Sequence, residues 1–170
     1  MENVDNLIGN SKSMKDFIGN TYYYDCLGCE IGKKNIIPPG GIVYEDESFV
    51  LAGDPEIPLN GFLIISAKQH KNSLIEFTSN EQHNLIDIVN KSIMVLKKLG
   101  ITNEVTLVQE ERSKHFHMWI FPNQEWMTEK FGKGVAYVRD ICEYARKNTT
   151  EDEKIEIINT IEKIKVEYNK

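Results

Sequence analysis

In Lys114-His115-Phe116-His117-Met118-Trp119-Ile120-Phe121-Pro122, a β-strand would send His115, His117 and Trp119 to one face and Phe116, Met118 and Ile120 to the other. The second set makes a core face. The first is a candidate site, because imidazoles at i and i+2 lie roughly 6.5 Å apart and can share a substrate or a metal ion.

Working outward, the polar link Gln109 to Lys114 joins this strand to Val105–Val108, an apolar run expected to pair with it antiparallel. Upstream, Thr78-x-x-Glu81 is a capping-box signature, followed by a helical stripe of Leu85, Ile88, Val89, Val95, Leu96 and Leu99 that Gly100 stops. Phe62–Ile65 reads as a buried strand running toward His70, and Asp54–Gly61 before it as a loop rich in breakers. Ile42–Glu45 and Ser48–Ala52 read as a hairpin turning at Asp46-Glu47, and the prolines and glycines of Gly32–Gly41 mark a loop. Met14–Phe17 is expected to form a helical turn or two, with Tyr22, Tyr23 and Tyr24 as partial core. Past Pro122, helical spacing returns twice: in Val135, Val138, Ile141 and Cys142, and in Ile155, Ile158, Ile161 and Ile164 after the Thr150-x-x-Glu153 cap. The expected fold is α+β, an antiparallel sheet with a long helix packed on one face and helical extensions at both ends. Residues 1–25 and 126–170 are the extensions; residues 26–125 are the body that carries the site.

Composition narrows the possible functions. With 20 basic against 26 acidic residues in 170, the net charge of -6 argues against a broad nucleic-acid surface built on phosphate contacts. No apolar run reaches the roughly 18 residues of a membrane span, and Met1-Glu2-Asn3-Val4-Asp5 does not resemble a signal peptide. The expectation is a cytoplasmic protein whose 3 cysteines form no disulfide framework.

Cys26-x-x-Cys29, His70 and His115-x-His117 make up the constellation. Two thiolates with two imidazoles form a tetrahedral zinc set. Two other readings stay open. In one, the cysteines serve as a redox pair, which would usually open a helix in a thioredoxin-like pattern that the Gly32–Gly41 loop does not suggest. Alternatively, His115 and His117 chelate one metal together, leaving no free nucleophile.

From about Cys26 to Pro122 these features resemble the histidine-triad superfamily, whose motif is His-x-His-x-His followed by apolar residues. On that resemblance His115 takes the first site, His117 the second and Trp119 the third. The family's second histidine is the nucleophile, so His117 inherits that role. In zinc-bearing members the metal set maps onto Cys26, Cys29, His70 and His115, as a structural zinc. The resemblance implies attack on the α-phosphate of a nucleotide derivative through a nucleotidyl-histidine. Nucleoside polyphosphates, dinucleoside polyphosphates in particular, are the expected substrates, ahead of nucleoside phosphoramidates, and a homodimer is the expected assembly. Arg112, Ser113 and Gln109 are candidate phosphate donors, and Asp54 is a candidate acceptor for the ribose hydroxyls. Trp119 departs from the motif: an indole has one N–H donor and does not titrate, so it cannot deliver a proton to a leaving group. The competing class is a nucleotide-binding, zinc-stabilised interaction protein with weak or lost catalysis.

Overall fold

The computed structural model describes residues 12–170; the first eleven residues of the expected N-terminal extension lie outside them. The described part of that extension is a hairpin rather than a helical turn: β1 (Lys12–Lys15) pairs antiparallel with β2 (Thr21–Tyr24). The reason lies in the period. Met14 faces inward while Ser13 and Lys15 face solvent. The turn is built by Asp16, whose Oδ1 accepts the Ile18 and Asn20 N–H groups, and by Gly19 at φ 105°. Tyr22 and Tyr24 pack on a small cluster of Met14, Ile31, Ile36 and Val50, whereas Tyr23 is exposed.

A short helix, α1 (Leu27–Gly32), follows, with Cys26 as its N-cap. The sequence reading placed only a loop after the cysteine pair. Gly32 lets this helix sit directly on the chain after the third strand of the main sheet, since a Cβ there would meet the Lys68 Cα at 2.9 Å.

The main sheet is antiparallel with order β3-β4-β5-β7-β6: β3 (Ile42–Glu45), β4 (Phe49–Gly53), β5 (Leu63–Ala67), β6 (Glu104–Gln109) and β7 (His117–Asn123). Between β5 and β6 runs α2 (Ser79–Lys98), opened by the reciprocal Thr78–Glu81 capping box that the sequence announces. Its Leu85, Ile88, Val89, Val95 and Leu96 bury against Leu51, Leu63, Ile65 and Ile120 on one sheet face. On the other face Phe62 and Phe121 pack with Ile57, Leu59 and residues of α3 (Glu125–Lys130) and α4 (Val138–Asn148).

The last helix, α5 (Glu151–Tyr168), has the expected Thr150–Glu153 capping box and buries Ile161 and Ile164 of the expected stripe, with Ile157 and Tyr168 added. Ile157, Ile161, Ile164 and Tyr168 are inside, while Ile155 is exposed. Two glycines set that register: a Cβ at Gly40 or Gly53 would stand 2.8 or 3.0 Å from Ile161. Ile161, Ile164 and Tyr168 join the same core as α2, so this segment completes the main core.

Candidate metal and nucleotide site

The cysteine thiols are brought to one side of α1 by the one-turn spacing of Cys26 and Cys29. His70 reaches them from the turn after β5. That turn is held by Phe116, whose carbonyl accepts from Ala67 N–H at 3.1 Å and whose N–H donates to the Lys71 carbonyl at 2.6 Å. His115, the residue before Phe116, arrives with it. The strand proper begins only at His117, two residues later than its alternation suggests, because Lys114 turns through the left-handed region at φ 58°.

The four ligand atoms of Cys26, Cys29, His70 and His115 lie within 4.8 Å of one another. Sulfur to Nδ1 separations are 3.4 and 3.3 Å to His70 and 3.2 and 3.6 Å to His115; the two Nδ1 atoms are 3.4 Å apart. A tetrahedral zinc with ordinary Zn–S and Zn–N bonds places S and N ligands about 3.6 Å apart and two N ligands about 3.3 Å apart. The donor set and its spacing therefore fit zinc.

The electrostatics agree. His115 Nε2–H donates to the Ala67 carbonyl at 2.9 Å, which leaves the Nδ1 lone pair facing the thiols. Burial holds this imidazole below the ordinary histidine range, which favours its neutral form. Burial, with Cys26 alongside, pushes the Cys29 thiol up to about 11, the reverse of an activated redox cysteine. A cation among the ligands would reverse that by favouring the thiolates. Gly28 makes the geometry possible: a Cβ there would lie 2.1 Å from His115 Cδ2. The motif Cys-x-x-Cys does not reveal that requirement.

Beside this cluster opens a cleft of about 440 Å³ lined by His117, Trp119, Ser113, Lys114, Asp54 and Ser66, among others. His117 Nδ1 lies 3.1 Å from the His115 carbonyl and 3.4 Å from Ser113 Oγ, and Ser113 itself donates to that carbonyl at 2.8 Å. With Nδ1–H donating to the carbonyl, Nε2 keeps its lone pair, so His117 can act as a nucleophile or base. It does not turn its Nδ1 toward the thiols, so the reading in which His115 and His117 chelate one ion is not the arrangement observed. Trp119 packs edge-on against Phe62 at 5.3 Å and lies 6.3 Å from the His117 ring. Asp54 Oδ1 accepts the Glu56 and Ile57 N–H groups, both at 2.9 Å, and burial pushes this carboxyl up to about 6.

Two expected phosphate donors are elsewhere. Gln109 stands opposite Met118, which packs on the α2 side of the sheet, and it does not line the cleft. The β6 alternation carries it to the wrong face. Arg112 is exposed and paired with Glu110 at 2.7 Å, a carboxylate that also holds Arg139. The sequence reading missed Ser66 and Ile64, which stand directly across from His117 and Trp119. Strand alternation would have nominated them once the pairing register was known.

No protein-family model matches the chain. It is 33% identical over 115 residues to an uncharacterized HIT-like protein of Methanocaldococcus jannaschii, covering 64% of this chain and 88% of that protein. The chain belongs to the HIT-like family. Solved structures agree on the fold of this HIT-like chain. A hypothetical histidine triad nucleotide-binding protein of Sulfolobus tokodaii matches with TM-score 0.59 at 20% identity, over 83% of this chain and 92% of that one. A zinc-bound histidine triad family protein of Mycobacterium smegmatis matches with TM-score 0.54 at 14% identity, over 81% and 93% respectively. Among the described residues, no helix is long and apolar enough to cross a membrane.

Proposed function

We propose that this HIT-like protein is a nucleotide hydrolase or nucleotidyltransferase that attacks the α-phosphate of nucleoside polyphosphates through His117. The observation that carries the reading is the His117 Nδ1 contact with the His115 carbonyl, because it frees Nε2 to face the cleft. In the first step Nε2 forms a bond to the α-phosphorus and the bond to the bridging oxygen breaks, releasing a phosphate-terminated leaving group. In the second, water or another acceptor attacks the same phosphorus and the P–N bond returns its electron pair to Nε2. Lys114 and Ser113, at the cleft wall, are placed to meet charge on the phosphoryl oxygens. Asp54 is the proposed ribose contact.

Trp119 sorts the leaving groups. An amine must be protonated as it departs, and an indole cannot supply that proton; a polyphosphate departs as an anion and needs none. Dinucleoside polyphosphates are therefore favoured over phosphoramidates.

Cys26, Cys29, His70 and His115 would hold a structural zinc, supported by the donor spacing and by the zinc-bound relative of the same fold. Held by these residues, a zinc would tie α1, the β5 turn and the segment before β7 together and would add its binding energy to folding. Homodimeric assembly and a cytoplasmic location complete the proposal, the first by resemblance and the second from a cysteine pair read as metal ligands rather than as a disulfide framework.

A second reading also starts from Trp119: a nucleotide-binding protein without turnover. Incubating wild type and His117→Ala with dinucleoside polyphosphates and nucleoside phosphoramidates, and following mononucleotide release, separates the two. Turnover that vanishes in the mutant supports the enzyme. Nucleotide binding without release supports the binding protein, and equal release by both chains rejects the nucleophile.

A further inference from the structure

The N-terminal hairpin lies against the same cleft. Lys12 stands two residues before buried Met14 on the same side of β1, and the β1–β2 register sets Lys12 directly opposite Tyr24 and Met14 opposite Tyr22. Lys12 itself is exposed at the cleft rim, the ordinary setting for a lysine. Both Lys12 and Tyr24 line the cleft, as do the carboxylates Asp25 and Glu56.

The ladder tells which end of the cleft this is. Ser66 marks the rung of His117, and Leu63, three residues along β5, marks the rung of Gly53. Three residues of strand span about 10 Å. Asp54, Pro55 and Glu56 begin where that rung ends, and the hairpin is fastened to them: Phe17 N–H donates to the Pro55 carbonyl at 3.0 Å. Tyr24 and Glu56 line the same cleft. The Asp54–Glu56 end of the cleft, to which the hairpin is fastened, thus lies about a nucleoside's length along the sheet from the rung of His117, where a base would lie if its α-phosphate sat at His117.

We infer that Lys12, Tyr24, Asp25 and Glu56 form a base-reading wall that selects guanine over adenine, an inference that rests on the nucleotide reading above. Tyr24 offers a ring face or edge to the base. An ammonium can donate to both acceptors of guanine, O6 and N7, whereas the matching edge of adenine pairs one acceptor with an amino donor. A carboxylate can accept from the guanine N1–H and N2–H₂ together, and adenine offers no such pair of donors. Lysine and carboxylate each find two partners on guanine and one on adenine.

Calorimetric titration of the full chain with GMP and with AMP tests this. GMP is expected to bind about ten-fold tighter or more, the size of one bidentate base contact. Lys12→Met and Glu56→Gln are each expected to reduce the ratio to about three-fold or less, with circular dichroism unchanged. Equal affinity in the wild type, or a ratio kept by both variants, overturns guanine selection and leaves the nucleotide reading standing. If neither nucleotide binds, both fall.

Discussion

The imidazole of His115 donates through Nε2 to the carbonyl of Ala67 at 2.9 Å, and this one hydrogen bond turns Nδ1 toward both thiols. Protein purified without added zinc is expected to carry close to one equivalent. Cys26→Ser is expected to lose it together with several kcal/mol of stability, on the order of what structural zinc contributes in small domains. Elemental analysis beside urea denaturation checks both halves; a metal-free wild type with the stability of the mutant refutes the assignment.

Gly28→Ala removes no ligand, yet its new methyl meets the His115 ring. The ring or α1 must shift. Zinc affinity should fall on the order of 10- to 100-fold, as for other defects around a metal's ligands. Competition with a chromogenic chelator measures it, and an unchanged affinity would mean the helix gives way freely.

His117→Ala should lower turnover on the order of 10³-fold or more. Ser113→Ala, which leaves the nucleophile in place but removes the hydroxyl bridging the His115 carbonyl and His117, should cost up to about ten-fold. Steady-state kinetics on the best substrate of the panel gives both numbers. A Ser113→Ala loss as large as that of His117→Ala would move the chemistry to the hydroxyl.

Asp54 gives a pH dependence. Its carboxyl ionises at about 6 in the folded protein, mainly because it is buried, and near 3.8 when exposed. Between those values the native state holds a proton that the unfolded state has released, so stability falls as pH rises through this window. Asp54→Asn keeps the Oδ1 acceptor for Glu56 and Ile57 N–H and removes the charge. It should stabilise the protein by roughly 2–3 kcal/mol at pH 7 and by little at pH 4. Urea midpoints at the two pH values decide it; equal shifts at both would show that the carboxylate is solvated.

Ile161→Ala should cost about 2–5 kcal/mol, the range for a core isoleucine, because α5 fills the main core at that point. Thermal melts would report it. A loss within about 0.5 kcal/mol, typical of surface sites, would return residues 151–168 to the status of an appendage.

The elements that read correctly from sequence are those whose local chemistry agrees with their tertiary place. Thr78–Glu81 and Thr150–Glu153 announce their helices, and the alternation from Phe116 to Ile120 gives a strand with one core face. The errors come from contacts that residue type and periodicity do not show. Ile155 is exposed and Ile157 buried because Gly40 and Gly53, by making room for Ile161, set the rotation of the helix. Gln109 misses the cleft because the β6–β7 register puts it beside Met118. Arg112 is claimed by Glu110, its neighbour in the polar link. At the site, residue types sufficed to nominate Cys26, Cys29, His70 and His115, since few arrangements use two thiols and two imidazoles. The supporting groups, Gly28 and the Ala67 carbonyl, carry no chemical signature and emerge only in three dimensions.

The seating of α5 against β3 also bears on how fast the molecule forms. The Asn169 side chain donates to the Val43 carbonyl across 126 residues of sequence, and the Tyr168 and Tyr44 rings meet at 5.1 Å. Contacts of that separation are reached only after the entropy of a very long loop has been spent. The β3–β4 hairpin can form on its own timescale, but the core beneath it closes last, when the final helix docks. Mutations at Ile161 or Tyr168 should therefore act mainly by speeding unfolding, while leaving the folding rate nearly unchanged.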